Sequence, residues 1–282
     1  MDAFRRHIEA CNNLHSPAGL VPFRLGAEQV GWLEPDLARW LAFRPRDFHF
    51  DADGVSVTAR MPAQRDRILA DTVRDLEKAG HLRLRDEAFD VRAAPDGPVL
   101  ARLDRGAIPA FGVQAQGVHL NGLVRRADGV HVWLGRRSKT KSVAPGQWDN
   151  VVGGGVPAGL DAAATLIKEA AEEAGMPPEL ASRARPVGRV SYIMRNEEGL
   201  RRDLLHVFDL DLPESFTPVP HDDEVEHFEL WPLRRALEAV RDTDDVKFNV
   251  NLVLIDLFLR EGLIDPASAE GRSLRLALDS GA

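Results

Sequence analysis

The stretch Gly153-Gly154-Gly155-Val156-Pro157-Ala158-Gly159-Leu160-Asp161, followed by Ala162 to Ala174 and then Gly175, constrains this chain more than any other. The glycines and proline make the first part a loop, and Ala162 to Ala174 reads as one short helix. Leu166, Ile167, Ala170 and Ala174 share a face at helical spacing and pack inward. Glu169, Glu172 and Glu173 recur at i, i+3 and i+4, so they lie on one side of the helix. Three carboxylates held that close repel one another unless a cation neutralises them. Hard oxygen donors combined with substrate phosphates suit Mg²⁺ or Mn²⁺. Gly175 fits the position just past a helix end, and Pro177-Pro178 prevents continuation. For the carboxylates alone, the competing reading is a solvated acidic face on an ordinary amphipathic helix.

At these residues the chain resembles the Nudix hydrolase family, whose signature sets a glycine, a glutamate, Arg-Glu, Glu-Glu and a closing glycine at fixed intervals. Gly154, Lys168, Glu169, Ala170, Glu172, Glu173, Gly175 and Met176 stand at the required spacing. Leu160 replaces the first glutamate, which in the family mostly supports the loop. Lys168 replaces the arginine, keeping the charge without the planar fork. The resemblance implies a loop–helix–loop that binds divalent metal and hydrolyses a diphosphate linkage. It carries Glu169, Glu172 and Glu173 over as metal ligands, and sets Gly154, Gly155 and Lys168 beside the substrate phosphates. Gly-Gly-Gly-Val-Pro-Ala-Gly-Leu, with Trp148-Asp149-Asn150 before it, is similar to one branch of the family. That branch has an extra N-terminal domain and is related to thiamine pyrophosphokinase-associated Nudix proteins. It implies thiamine diphosphate or its oxidised forms as substrate, giving the monophosphate.

Three other readings stay open. One is a different substrate, such as ADP-ribose or a nucleotide sugar. Another is a non-catalytic diphosphate-binding module, for which Leu160 and Lys168 are the best support. The third, a prenyl-diphosphate isomerase, needs a cysteine near the box, and the single Cys11 lies far from it.

A chain of 282 residues has room for two domains. The alternation of strand and helix patterns indicates an α+β or α/β fold. The resemblance specifies a Nudix α/β/α sandwich with a mixed sheet over residues 113–282, preceded by a small α+β domain over 1–112. Net charge −8 argues against a nucleic-acid surface. One cysteine excludes an intrachain disulfide. The charged N-terminus and the absence of a run near ~20 apolar residues set the expectation of a cytoplasmic chain with no membrane partner. The expected partner is a small-molecule diphosphate. Closing over substrate and forming a homodimer contact are both open roles for the first domain.

In the first domain the patterns predict a helix over Met1–Cys11, strands at 23–25 and 30–33, and a helix over 35–41. A hairpin follows around Asp51–Gly54, then a helix over 64–79 and strands at 89–91 and 99–101. In the second they predict paired strands over 113–125 and 130–136, then strands at 187–194 and 204–212 separated by a polar loop, 195–202. A strand through Phe228–Trp231 and helices over 233–241, 248–262 and near 274–278 complete the chain. Arg136 to Lys141 reads either as a solvated loop or as a phosphate clamp, with Arg137 and Lys139 its candidate contacts. Trp148 either stacks on a substrate ring or packs under the loop. Tyr192 and His206 read as structural. The family resemblance implies a further glutamate before the Phe228 strand, as metal ligand or general base. Glu224 is the first choice and Glu226 the second, against an exposed acidic turn. The general base is thus Glu173 or Glu224. Asn249 and Asn251 read as helix caps, with a substrate contact also open.

Overall fold

The computed structural model describes residues 3–221 and 223–279. Chain order begins with helix α1 (Arg5–Cys11), strands β1 (Val21–Leu25) and β2 (Glu28–Leu33), and helix α2 (Pro35–Leu41). Strands β3 (Phe48–Asp51) and β4 (Gly54–Val57) follow, then helix α3 (Pro62–Lys78) and strands β5 (Ala88–Val91) and β6 (Ala101–Asp104). β1 to β4 form a sheet in the order β2-β1-β4-β3, and β5 pairs with β6. Prolines open both α2 and α3, where a missing N–H costs nothing. Alternate strand residues Phe23, Leu25, Val55 and Val57 meet Leu69, Val73 and Leu76 of α3 in one core, which Phe89, Val91 and Leu103 extend. A turn at Arg105–Ala107 and the short helix α4 (Ile108–Phe111) lead out of this α+β domain.

The second part is a mixed sheet between helices. Its strands are β7 (Gln114–Arg126), β8 (Gly129–Arg137), β9 (Trp148–Asn150) and β10 (Val152–Gly155). Helices α5 (Ala162–Ala174) and α6 (Pro178–Ala181) intervene before β11 (Arg185–Asn196), β12 (Gly199–Asp211) and β13 (Val225–Pro232). Helices α7 (Leu233–Asp242), α8 (Phe248–Arg260) and α9 (Ala269–Leu278) close the chain. The order is β11-β12-β7-β8-β13, with β10 paired to β7 and β9 to β8. β12 and β7 are parallel and their neighbours antiparallel. Period-two alternation divides the side chains between two cores. Leu120, Val124, Trp133 and Phe208 face α5, while Leu123, Val132, Leu134 and Val207 face α8. Among the described residues no helix is long and apolar enough to cross a membrane.

Four expectations are corrected. The glycines of 153–155, read as a loop, form β10, with Gly154 opposite Val118 and Gly155 opposite Gly117. The ladder satisfies their backbone, and close neighbours above the strand explain why they are glycines. The polar segment 195–202 is no loop: β11 and β12 run on to a tight turn at Glu197-Glu198, closed by Gly199 at φ +126°. Its polar side chains reach the first domain. Arg195 pairs with Glu34 at 2.6 Å, and Arg202 donates to the Gly112 carbonyl at 3.2 Å. The C-terminal helix, expected only near 274–278, begins at Ala269, where the Ser268 hydroxyl accepts from the Gly271 N–H at 2.9 Å. The first helix starts at Arg5 rather than Met1, and Met1 and Asp2 lie outside the described residues. Its Phe4, Ile8 and Cys11 enter the core around α8, with Phe4 edge-on to Phe258.

Candidate active site

Helix α5 is fixed at both ends by its own sequence. The Asp161 carboxylate accepts from the Ala164 N–H at 2.7 Å, and Gly175 takes the left-handed conformation at φ +60°. Leu166, Ala170 and Ala174 bury one face against the sheet. That docking sets three glutamates in three environments. Glu172 is half exposed, Glu169 is largely covered, and Glu173 is buried. The Glu173 carboxylate accepts from the Gly153 N–H at 2.9 Å. A Cβ at Gly154 would stand 2.7 Å from the Glu169 carboxylate, so only glycine lets β10 pass so near it. Burial pushes the Glu173 carboxyl up to about 8, against the pull of the Gly153 N–H and with Asp149 and Glu169 adding to the rise. Glu169 is raised too, first by burial, with Lys168 opposing.

Beneath Gly153 lies a buried hub that the sequence reading did not single out. Asp149 accepts from Arg137 at 2.7 Å and from Lys247 at 2.8 Å, and its second oxygen takes the Asn150 N–H at 2.9 Å. Burial would raise this carboxyl, but Lys247, His119 and Arg137 overcome that and hold it at about 2. His119, beside Gly153, is driven down to about 4 by burial and then by Lys247. Its Nδ1 is 2.9 Å from the Asn150 side-chain oxygen. Asn150 donates to Asn121, and Asn121 donates to Asp209, each at 2.9 Å. Arg260 grips Asp209 and Asp256 from the far side. This chain of bonds ties the floor of the site to α8 and fixes the height of β10. Asp149 and Asn150 belong to the tripeptide that marked the branch resemblance. Lys247 carried no signal, because its partner is 98 residues away.

Gly153, Gly154 and Gly155 line a cavity of about 530 Å³ between the two domains. The first domain contributes Arg83, Arg85, Glu87, Phe89 and Arg105; the second contributes His119, Lys141, Glu224, Lys247 and Asn249, among others. The structure brings Glu169, Glu173, Gly154, Gly155, Arg137 and Glu224 to this region by different routes. The two α5 carboxylates lie behind the glycine strand, whereas Glu224 lines the cavity and pairs with Lys141 at 2.5 Å. Arg137 lines it also, with its guanidinium directed to Asp149 and to the Val143 and Ala144 carbonyls. Lys139 is exposed and outside the lining, as is Glu226, which accepts weakly from the Lys139 N–H at 3.4 Å. Trp148 is buried edge-on to Trp231 at 4.7 Å between centroids, so of its two readings it takes packing. Leu160 is partly exposed at the turn before α5. Tyr192 is fully buried and donates to Asp203, and His206 Nε2 lies 2.8 Å from Gln116. Neither Asn249 nor Asn251 caps α8 through its side chain. Asn251 donates to the Val246 carbonyl at 3.1 Å, and the buried Asn249 oxygen has no partner among the described residues.

Among the described residues no three His, Cys, Asp or Glu side chains converge as a ready-made metal cage. The donor chemistry fits a hard divalent cation nonetheless. The Lys168 ammonium bridges Glu169 at 3.1 Å and Glu172 at 2.6 Å, so a positive charge already sits between those carboxylates.

Comparison with known proteins gives two family matches. Residues 117–251 match the NUDIX domain, and residues 3–115 match a domain of unknown function, DUF4743. Nudix hydrolase 20 of Arabidopsis thaliana, named as chloroplastic, is 34% identical over 95% of this chain and 75% of its own length. Nudix hydrolase 24 of the same plant, also named as chloroplastic, is 34% identical with the same coverage. Among solved structures, the Deinococcus radiodurans protein DR0079 is 20% identical, covering 60% of this chain and 97% of its own at a TM-score of 0.47.

Proposed function

The chain belongs to the Nudix hydrolase family, a family of divalent-metal-dependent enzymes acting on phosphoanhydrides, and from that premise we propose that it cleaves thiamine diphosphate or its oxidised forms to the monophosphate. The observation that carries the hydrolytic site is the β10–α5 pairing. Glu173 is held by the Gly153 N–H, and Glu169 is pressed on Gly154, directly behind a cavity rich in arginine and lysine. The thiamine assignment is supported by the similarity of the glycine–helix segment and its preceding tripeptide to the thiamine-related branch.

Glu169, Glu172 and Glu173 would hold Mg²⁺ or Mn²⁺. When bound, such a cation neutralises phosphate oxygens and makes a coordinated water acidic. The chain's own residues do the rest. Glu173 or Glu224 accepts the proton of the attacking water. Arg137 and Lys141 stand in the cavity wall, each already held to a carboxylate, Asp149 and Glu224. Lys168 shields the paired carboxylates, which would otherwise repel one another on one side of α5. Asp149, locked by Arg137 and Lys247, holds the β9–β10 connection in place, and with it the N–H that aims Glu173.

The test is monophosphate release with Mg²⁺ or Mn²⁺ from a panel of thiamine diphosphate, its oxidised analogues, ADP-ribose and nucleotide sugars. Turnover selective for the thiamine compounds supports the assignment. Selective turnover of ADP-ribose or a nucleotide sugar replaces it with another substrate of the same chemistry.

A further inference from the structure

We infer that the N-terminal domain completes the catalytic cleft by supplying its phosphate-gripping side chains, Arg83 and Arg85. The inference rests on the diphosphate reading above. Five of the cations lining the cavity already have a carboxylate. Arg105 pairs with Glu87 at 2.9 Å and Arg201 with Asp203 at 2.9 Å. Lys141 holds Glu224, while Arg137 and Lys247 share Asp149. Arg83 and Arg85 line the same cavity, are exposed, and make no ion pair among the described residues. A guanidinium offers a planar fork of donors that matches phosphate oxygens. Two such groups, lining the cavity together with the glycine strand and making no ion pair among the described residues, leave anion-binding capacity there.

The loop that carries them is pinned rather than loose. The Leu84 N–H donates to Glu77 at 2.8 Å, and the Arg85 N–H donates to Asp104 at 3.0 Å. The Arg105 N–H donates to the Glu87 carbonyl at 2.7 Å. The backbone of Arg83 lies so close to Gly106 that any Cβ there would clash with its carbonyl. The backbone that carries the two arginines is therefore fixed, and the ordering entropy lost on engaging a ligand is confined to their side chains. The cavity also has two carboxylates that make no ion pair among the described residues, Glu197 and Glu198 at the β11–β12 turn, which line a second, adjoining cavity with Trp40. That end disfavours an anion, so the phosphates belong between the glycine strand and the Arg83–Arg85 loop.

The test uses the full chain and imidodiphosphate, a diphosphate mimic resistant to hydrolysis, titrated calorimetrically without divalent metal. Arg83→Gln/Arg85→Gln is expected to weaken binding about tenfold or more, and Arg83→Lys/Arg85→Lys to recover part of it. Arg126→Gln, exposed at the end of β7 and outside the lining, is expected to retain wild-type affinity. With hydrolysable substrates the double glutamine variant is expected to raise KM far more than it lowers kcat. Imidodiphosphate affinity within twofold of wild type in a double variant with unchanged melting temperature overturns the inference, and so does absence of binding to the wild type. If the wild type binds imidodiphosphate through these arginines yet hydrolyses no diphosphate, the catalytic reading fails and the anion site stands. If hydrolysis is normal and both affinity and KM are untouched in the variant, only the anion site fails.

Discussion

Asp149→Asn keeps the shape of the buried hub and removes the carboxylate charge that Arg137 and Lys247 share. In the wild type one carboxylate compensates two covered cations, Arg137 and Lys247, at 2.7 and 2.8 Å. Holding that carboxyl at about 2, against 3.8 for the ordinary group, corresponds to about 2 kcal/mol of stability at neutral pH. Breaking a buried pair from one side costs about 3–5 kcal/mol, because the cations are left uncompensated. Taking roughly 3 kcal/mol, and about 2–4 °C per kcal/mol for a domain of this size, Asp149→Asn should melt roughly 6–12 °C below wild type at pH 7. The folded pKa lies below the unfolded one, so the stabilisation is complete above about pH 4 and is lost as the pH falls towards 2. The gap between wild type and variant should therefore narrow over that window in calorimetric or urea unfolding. Lys247→Met should cost less, since Arg137 still holds Asp149. A variant melting within 2 °C of wild type at pH 7, or a gap that does not change with pH, would refute the account of the hub.

Other outcomes follow from the same geometry. Glu172→Gln/Glu173→Gln should reduce metal-dependent phosphate release by about 10²–10⁴-fold while the protein still unfolds cooperatively; steady-state assays beside thermal melts check both. Gly155→Ala should cost about 1–3 kcal/mol, because the new Cβ would overlap the Phe89 ring of the first domain. Phe89→Leu should recover part of that loss, and a double-mutant cycle in urea reads the coupling. Cys11 is buried and its thiol is pushed up to about 12 by burial and then by Asp203. It should react with a thiol reagent only on unfolding, so rapid native-state labelling would show that α1 does not stay docked on α8.

Local chemistry alone settled much of this protein. The cap residues Asp161 and Gly175, the apolar stripe of α5 and the spacing of its glutamates are short-range properties, and they were readable as a capped amphipathic helix with three glutamates on one side. The same holds for α2, opened by Pro35, and for the hairpin turning at Asp51–Gly54. Alternation along β7 and β8 told which residues face a core, though not which of the two helix layers they meet. What escaped the sequence depends on distant partners. Gly153 to Gly155 read as a loop because glycine has weak strand preference, and only pairing with β7 makes them a strand. The polar residues after Met194 read as a loop because their partners, Glu34 and the Gly112 carbonyl, lie in the other domain. Phe4, Ile8 and Cys11 showed an apolar face, but nothing local directed it to a helix some 240 residues later. Spacing grouped Glu169, Glu172 and Glu173 as equals, and burial against β10 made them three different groups. The sequence thus determined the helix, its ends and its charge pattern, because caps, periodicity and charge act over a few residues. The tertiary structure alone decided the Asp149 hub and the two-domain cleft, because buried charges are satisfied by whatever the fold brings to them.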